Sequence, residues 1–333
     1  MRPNLSLLVP SAVLLALAVY ALTGADPYLL SVLSTVLIYA VATSGLNLLA
    51  GFGGYPNLSQ ATFMGVGAYA GAYAVNTLHW GFWAVMVVGP LAAAAVGAVV
   101  AVPLLRLQGQ YFAIATLLLG VVFTTVMQNE ESLGGSLGIG GFTRPFTDST
   151  GWFLFLLAIQ AVLTGLTAWI AGRPLGRHLD ALRQDESLSE SIGIPVRRRK
   201  FEAFVLGSAV GGLAGVLLAN NSFYVAPDLF NFFESFLVFV ALIVGGPGTV
   251  AGPLLGAAFL IGLPEAFRFA QEARYLFMGV AFVLVMGLAP DGIVGAASRL
   301  TQRSRRRSPR PATIREPSRE AVAVGPGQGD DHA

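Results

Sequence analysis

Apolar stretches long enough to cross a lipid bilayer follow one another along most of this chain, and they constrain its fold more than any other feature. A helix needs about 20 mostly apolar residues to span the hydrocarbon core, and a charged residue inside that core is costly. Only 11% of the 333 residues are charged and 55% are hydrophobic. We therefore predict an all-α, polytopic integral membrane protein, a helical bundle of about ten transmembrane helices. The predicted spans are residues 5–23, 28–50, 58–77, 82–104, 111–128, 152–171, 201–220, 232–246, 250–267 and 275–290.

The distribution of arginine and lysine predicts the orientation, because short loops rich in these residues stay on the cytoplasmic side. One basic region is residues 172–200 and the other follows Arg299. An even number of predicted spans separates the two regions, so both can face the cytoplasm, together with both termini. We expect a transmembrane domain over residues 1–298 and a disordered basic tail over residues 299–333, because the tail is too polar and too rich in proline and glycine to bury a core.

The start of the chain has a second interpretation, a cleaved signal peptide, because Arg2 precedes an apolar run that ends in small residues. Removing this segment leaves an odd number of spans and an orientation that conflicts with the basic regions. We therefore prefer a retained first span. The four tryptophans, which favour the level of the lipid headgroups, all fall at predicted span ends: Trp80, Trp83, Trp152 and Trp169.

The segment of residues 172–200 has an amphipathic helical pattern and is not disordered in composition. Leu175, Leu179 and Leu182 recur at i, i+4 and i+7, with charged residues on the other faces. Gly193 and Pro195 then end the pattern. A short helix of this kind between two spans fits a groove on a cytoplasmic partner. The alternative is a helix that lies on the membrane surface.

Residues suited to enzymatic chemistry are few and scattered. The three histidines are far apart in the sequence, and the chain has no cysteine. We predict no catalytic residue, no metal site, no cofactor bound by this chain and no nucleic-acid binding, which leaves little support for a membrane-embedded enzyme. Another alternative is a secondary transporter driven by an ion gradient, which needs ionisable residues in its spans. Glu234, Glu265 and Arg268 are the candidates for that role.

Glycines at four-residue spacing give several predicted spans a small face that permits close helix packing. The predicted helix-packing glycines are Gly65, Gly67, Gly71, Gly207, Gly211, Gly215, Gly252 and Gly256. Two Gly- and Pro-rich segments, residues 51–56 and 245–253, instead interrupt the apolar pattern. Interrupted spans are tolerated where the backbone lines a cavity or is buried in protein.

A dense polar cluster follows the first interruption and predicts a solute path. Asn57, Ser59, Gln60 and Thr62 form the cluster, and Asn47 lies on the preceding span. An amino acid that crosses an apolar bundle needs a few weak polar contacts, and these side chains are candidates to supply them. The alternative is that Asn57 only caps the third span and that Gln60 supports the cap.

Several segments, in the same order, resemble the permease subunits of bacterial ATP-binding cassette (ABC) importers for branched-chain amino acids. Two of them are SGLNLLAGFGGYPNLSQATFMGVGAYAGAYA from Ser44 and LRLQGQYFAIATLLLG from Leu105. A third, SLGGSLGIGG from Ser132, is more similar to the M-type subunit than to its H-type partner. The longest is GRHLDALRQDESLSESIGIPVRRRKFEAFVLGSAVGGLAGVL from Gly176, and VAPDLFNFFESF, VGGPGTVAGPLLGA and APDGIVG follow it.

The resemblance implies one permease of a pair in the bacterial inner membrane. Its implied partners are a second permease, homologous or identical, two cytoplasmic ATPase subunits that bind ATP, and an extracytoplasmic solute-binding protein. Residues 172–200 are then expected to dock on an ATPase subunit, with Leu182, Glu190 and Gly193 at the contact. The implied function is translocation of branched-chain or related small amino acids. Tyr55, Asn57 and Ser59 depart from the family pattern, so urea and short amides stay open as solutes.

Overall fold

Helix is the main secondary structure of the residues that the computed structural model describes, which are 3–23, 26–146, 148–266, 279, 280, 283, 287 and 292–296. The α-helices are α1 (Pro3–Leu22), α2 (Pro27–Leu46), α3 (Gln60–Asn76), α4 (Phe82–Leu104), α5 (Gln110–Asn129), α6 (Ser149–Ala171), α7 (Pro174–Gln184), α8 (Glu186–Ser191), α9 (Val196–Ser222), α10 (Phe232–Gly245) and α11 (Gly252–Ala266). A π-helix, Asn47–Phe52, continues α2 without a gap. Most of the predicted tenth span and all of the predicted tail lie outside the described residues.

The predicted spans that lie within the described ranges coincide with helices, because long apolar runs specify membrane-spanning helices. Within the described residues, six helices are long and apolar enough to cross a membrane. They are Pro27–Phe52, Phe82–Leu104, Gln110–Asn129, Ser149–Ala171, Val196–Ser222 and Pro227–Gly245. Helices α3 and α11 are shorter, with 17 and 15 residues. The predicted fold class, an all-α polytopic bundle, is confirmed.

Polar side chains fix where some of the apolar helices begin. The Asp148 carboxylate accepts a hydrogen bond from the Gly151 backbone N–H at 3.3 Å, at the start of α6. Asn231 Oδ1 accepts one from the Glu234 N–H at 3.0 Å, at the start of α10. A cap of this kind contributes about 1 kcal/mol and satisfies a backbone donor that the helix itself leaves free.

Helix α9 lies at the centre of the bundle and packs against α2, α3 and α4. Its glycines bring backbones into contact. A Cβ atom at Gly207 would lie 2.8 Å from the carbonyl oxygen of Gly45 in α2, and one at Gly215 would overlap the backbone of Met64 in α3. Because a backbone cannot rotate away as a side chain can, these glycines set the distance between the helices.

The other predicted packing glycines also lie against neighbours in the same chain. Gly65 lies against Phe123 and Phe230, Gly67 against Gly212, Gly71 against Val85, Gly211 against Gln60 and Phe63, Gly252 against Gly246, and Gly256 against Ala241. A methyl group at any of these positions would have to displace the neighbour. The small faces are thus occupied within the subunit.

A short two-stranded sheet lies at the end of the bundle, and its two strands come from the segments that follow α5 and α9. Strand β1 (Ile139–Gly140) pairs antiparallel with β2 (Tyr224–Val225). Beside the sheet, the Arg144 guanidinium donates to the Asn220 carbonyl at 3.1 Å and lies over the ring of Trp152, 5.2 Å from its centroid. Trp152 is only 1% exposed, so this tryptophan is part of the core and does not sit among headgroups as its position in the sequence predicts.

Candidate functional site at the helix breaks and the coupling segment

The first helix break covers residues 47–59 and separates α2 from α3. Helix α2 runs into the π-helix, and the chain is then irregular until α3 begins at Gln60. π-Helical turns are rare and occur frequently at functional sites. Gly54, inside this break, has a φ of 76°, a left-handed conformation that glycine adopts without strain.

The second helix break covers residues 246–251, between α10 and α11. Asn47, which is 0% exposed, joins it to the first. The Asn47 Oδ1 atom accepts a hydrogen bond from the Gly248 N–H at 2.9 Å, and its Nδ2 atom donates to the Thr249 carbonyl at 2.9 Å. Although the sequence predicts that Asn47 lines a solute path, both ends of its amide are bonded within the chain. The two breaks therefore form one structural unit.

The predicted path residues at the start of α3 come together, but they are buried and bonded to the chain. Asn57 Oδ1 accepts hydrogen bonds from Ser59, from its N–H at 3.0 Å and from its hydroxyl at 2.6 Å. Gln60 Nε2 donates to the carbonyls of Ala42 at 3.0 Å and Gly207 at 3.3 Å. Each of the three side chains is at most 5% exposed. In this subunit alone they reach no surface, and their bonds favour a structural role.

Three further hydroxyl side chains lie in this region, and of these the sequence distinguishes only Thr62. The Leu58 N–H donates to Thr116 Oγ1 at 3.0 Å, and the Ala61 N–H donates to Ser235 Oγ at 3.0 Å. The Thr62 hydroxyl is buried without a hydrogen-bond partner among the described residues. Single hydroxyl groups are common in apolar helices, so the sequence positions of Thr116 and Ser235 alone give no signal of the hydrogen bonds that they accept.

The coupling segment, residues 172–200, contains the predicted amphipathic helix as α7, followed by the shorter α8. Leu179 is 0% exposed and Leu182 is 4% exposed, because α7 packs its apolar face against the bundle. Leu182 therefore cannot insert directly into a groove of another protein, and its role is to anchor α7. Asp185 separates the two helices and accepts a hydrogen bond from the Leu188 N–H at 2.9 Å, which begins α8.

Glu186, the first residue of α8, ties this helix to the bundle. Its carboxylate accepts hydrogen bonds from Lys200 Nζ at 2.6 Å and from the Tyr55 hydroxyl at 2.5 Å. The Lys200 side chain is 4% exposed and that of Glu186 is 30% exposed. Burial raises the pKa of Glu186, but the hydrogen bonds from Lys200 and Tyr55 outweigh burial and hold the pKa below its ordinary value. At neutral pH the carboxylate is charged and balances the buried ammonium group.

The outer face of α8 and the turn after it are exposed. Leu188 is 61% exposed and Ile192 is 69% exposed, and the exposed Glu190 lies between them in sequence. Gly193 has a φ of 84°, and nothing lies within 4 Å of a Cβ atom built on it. Glu190 also borders a groove of about 490 Å³ next to the end of α4. Two apolar side chains and one carboxylate are thus available at the tip of the segment.

The ionisable residues that a secondary transporter requires have tyrosine partners. The Tyr39 hydroxyl donates to Glu234 at 2.8 Å, and the Tyr28 hydroxyl donates to Glu265. Arg268 lies outside the described residues. In the described part of the chain, no group of three or more His, Cys, Asp or Glu residues is placed to hold a metal ion.

A family model described as the permease component of the branched-chain amino acid transport system matches residues 28–286. The chain belongs to this family of transport permeases. It is 31% identical to the high-affinity branched-chain amino acid transport system permease protein LivM of Escherichia coli, over 84% of this chain and 74% of that protein. It is 32% identical to LivM of Salmonella typhimurium, with the same coverage.

The H-type relatives match less of the chain. The LivH permease of Escherichia coli is 29% identical, over 43% of this chain and 46% of that protein. The longer match to LivM agrees with the M-type resemblance of the segment that starts at Ser132. Membership in a family of ABC permeases also removes the ion-coupled secondary transporter as an interpretation of Glu234 and Glu265.

Proposed function

We propose that this chain is the M-type permease subunit of an ABC importer that translocates branched-chain or related small amino acids. Family membership over residues 28–286 carries this proposal, and the solute class comes from the names of the LivM relatives. The sequence G-x-x-x-x-G-K-[ST], which binds ATP phosphates, is absent from the chain. Energy for uptake therefore comes from partner subunits.

The proposed assembly contains a second permease, two cytoplasmic ATPase subunits and an extracytoplasmic solute-binding protein. Escherichia coli has both a LivM and a LivH relative of this chain, which supports a pair of unlike permeases. The basic residues of the coupling segment and of the tail support an orientation with both regions and both termini in the cytoplasm. Residues 1–298 form the proposed transmembrane domain, and residues 299–333 form the proposed cytoplasmic tail.

The tip of α8 is the proposed contact with an ATPase subunit. Leu188 and Ile192 supply apolar area, Glu190 supplies charge, and Gly193 allows the turn that follows. An exposed leucine or isoleucine that becomes buried at an interface contributes roughly 1.5–3 kcal/mol. Leu182 takes part indirectly by anchoring α7 to the bundle.

The contact is tested by placing a charge on it. We expect Leu188→Glu and Ile192→Glu to reduce co-purification of the ATPase subunits and to abolish ATP-driven uptake of leucine into proteoliposomes. Leu137→Glu is the matched control. Leu137 is 85% exposed, and it lies after the last residue of α5, at the end of that helix opposite to the coupling segment. Unchanged co-purification and uptake with both variants would reject the contact.

Orientation is tested separately with single cysteines, because the chain has none of its own. Ser187→Cys is exposed on α8 and Ser149→Cys is exposed at the start of α6. We expect an impermeant thiol reagent added outside intact cells to label residue 149 and to spare residue 187. The reverse pattern would place the coupling segment outside the cell.

We also propose that the solute passes beside the two helix breaks. Asn57, Ser59 and Gln60 would hold the start of α3 next to the path, and Asn47 would hold the breaks together, so their buried side chains would support the path from behind. Gln60→Leu distinguishes this support from direct lining. A changed preference among leucine, urea and short amides at normal thermal stability indicates lining, whereas reduced stability with unchanged preference indicates support.

A further inference from the structure

Arg183, near the end of α7, contacts both helix breaks with one atom. Its Nη1 donates to the Gly51 carbonyl at 3.0 Å and to the Pro247 carbonyl at 3.3 Å. Among the described residues, the ion pairs of the chain do not include Arg183. The guanidinium is thus held by carbonyl oxygens alone, and the hydrogen bonds to it are assisted by its charge.

The backbone around Arg183 is shaped to admit it. A Cβ atom on Gly54 would lie 2.9 Å from Arg183 Cγ, and one on Gly248 would lie 2.6 Å from its Nη1. Both glycines also have left-handed backbone conformations, with φ of 76° and 75°. One glycine belongs to each break, so each break leaves room for the same side chain.

The carbonyls that Arg183 contacts are in the parts of the two breaks that Asn47 joins. Asn47 bonds to Gly248 and Thr249, which lie in the second break next to Pro247. Asn47 is also the first residue of the π-helix that contains Gly51, in the first break. Arg183 and Asn47 therefore each join the two breaks. Helix breaks can change conformation with little loss of regular hydrogen bonding, and coupling between distant sites requires an element with two arrangements.

Helix α7 is also linked to the exposed helix that follows it. Asp185 both ends α7 and accepts the first hydrogen bond of α8, and Glu186 is fixed to Lys200 and Tyr55. We therefore expect a displacement of α8 to reach α7 and the loop that contains Tyr55. Tyr55 belongs to the first break, so the link through Glu186 reaches one break, whereas Arg183 reaches both.

We propose that Arg183 is a positioning residue that transmits movement of the coupling segment to both helix breaks at once. The proposal rests on the proposed function, because it takes α8 as the contact with an ATPase subunit. Arg183 touches neither ATP nor solute in this role. It keeps the two breaks in register with α7, so that they change together when the ATPase subunits close.

The test uses the complete importer, with spin labels on single cysteines at residues 187 and 250. Ser187 is exposed on α8, and Val250 is partly exposed in the second break. In the unmutated protein, we expect ATP with vanadate to change the mobility of both labels. In Arg183→Gln we expect the label at residue 187 to respond and the label at residue 250 to stay unchanged, with uptake at least tenfold lower and basal ATP hydrolysis within twofold.

Two variants serve as comparisons. Arg177→Gln is the matched control, since Arg177 is exposed on the same helix and, within the described part of the chain, its side chain donates only to the Gly172 carbonyl of its own segment. It should behave as the unmutated protein does. Arg183→Lys keeps one cationic donor for the two carbonyls and should restore at least half of the uptake. Arg183 is exposed and Arg183→Gln buries no new group, so the variant should fold, and co-purification of the ATPase subunits at normal yield checks that it assembles.

The outcomes separate this inference from the proposed function. A label at residue 187 that does not respond in the unmutated protein would reject α8 as the ATPase contact, and the inference with it. If that label responds but Arg183→Gln leaves uptake and the response at residue 250 intact, transmission through Arg183 is rejected while the proposed function stands. Equal losses in Arg183→Gln and Arg183→Lys would also reject the bridging role.

Discussion

Replacing Gly215 with alanine should push α3 and α9 apart at the centre of the bundle. The added Cβ atom would overlap the carbonyl carbon, the carbonyl oxygen and the Cα atom of Met64, and all three are backbone atoms. No rotation of a side chain can relieve this overlap, so the two helices have to separate or tilt. Close packing elsewhere around α9 resists such a movement, because a dense interior transmits strain.

The size of the effect follows from two opposing contributions. Overpacking of a tightly packed site costs about 1–3 kcal/mol, and a collision with backbone belongs at the upper end of that range. Alanine in place of glycine inside a helix gives back about 1 kcal/mol. We therefore expect Gly215→Ala to lower the free energy of unfolding by about 2 kcal/mol.

The chain offers a control in which only the second contribution acts. Gly165, in α6, is exposed, and nothing lies within 4 Å of a Cβ atom built on it. Gly165→Ala should raise the free energy of unfolding by up to about 1 kcal/mol. The two variants should then differ by about 3 kcal/mol.

Reversible unfolding by SDS in mixed micelles, followed by tryptophan fluorescence and circular dichroism, measures both free energies in the same conditions. Stabilities of Gly215→Ala and Gly165→Ala that agree within about 0.5 kcal/mol, the usual range of a neutral substitution, would show that α3 and α9 are not in backbone contact.

Three further substitutions test other parts of the structure. Glu186→Gln leaves the Lys200 ammonium without its counter-ion and should lower the free energy of unfolding by about 2 kcal/mol, which is less than the cost of about 3–5 kcal/mol for a fully buried pair because Glu186 is partly exposed. Because the pKa of Glu186 is depressed in the folded protein, the unmutated protein keeps this stabilisation above pH 4.5 and loses it as the pH falls further, so the stabilities of the two proteins should converge in acid. Arg144→Gln should lower the melting temperature, at a cost of about 2 kcal/mol for bonds to a charged group, yet leave uptake per molecule unchanged, because Arg144 bonds to the Asn220 carbonyl and packs on Trp152. An uptake defect without a stability defect would contradict this structural role. Gly193→Val should weaken ATPase co-purification because a β-branched residue is strained at a φ of 84°, while Gly193→Asn, which tolerates that conformation, should retain it; equal binding by both variants would show that the turn is not required.

The coupling segment shows how far local pattern carries a prediction. The spacing of Leu175, Leu179 and Leu182 identifies α7 correctly, because amphipathic periodicity is a property of neighbouring residues. It does not indicate what the apolar face packs against. The structure turns that face toward the bundle, which buries Leu182 and leaves Leu188 and Ile192 as the exposed apolar residues. Leu188 lies on a six-residue helix, which is too short for a periodic pattern to reveal, and Ile192 directly follows that helix.

The polar cluster at the start of α3 was visible in the sequence, but its environment was not. Asn57, Ser59 and Gln60 are conspicuous because polar residues are rare in apolar stretches. Their partners are distant: Gln60 donates to a carbonyl 147 residues further along the chain. A buried amide bonded to backbone and an amide that faces a solute have the same sequence pattern, so only the packing distinguishes them.

The sequence by itself determined the class of the protein, the apolar helices that lie within the described residues, the positions of the two helix breaks and the family, because each depends on hydropathy, on glycine and proline, or on short segments of local sequence. Only the tertiary structure decided that the two breaks form one unit and that Arg183 contacts both. The bonds of Asn47 and Arg183 to the second break join residues 202 and 64 positions apart. No local pattern encodes such contacts, because they depend on where the packing of α9 against α2, α3 and α4 places the surrounding helices.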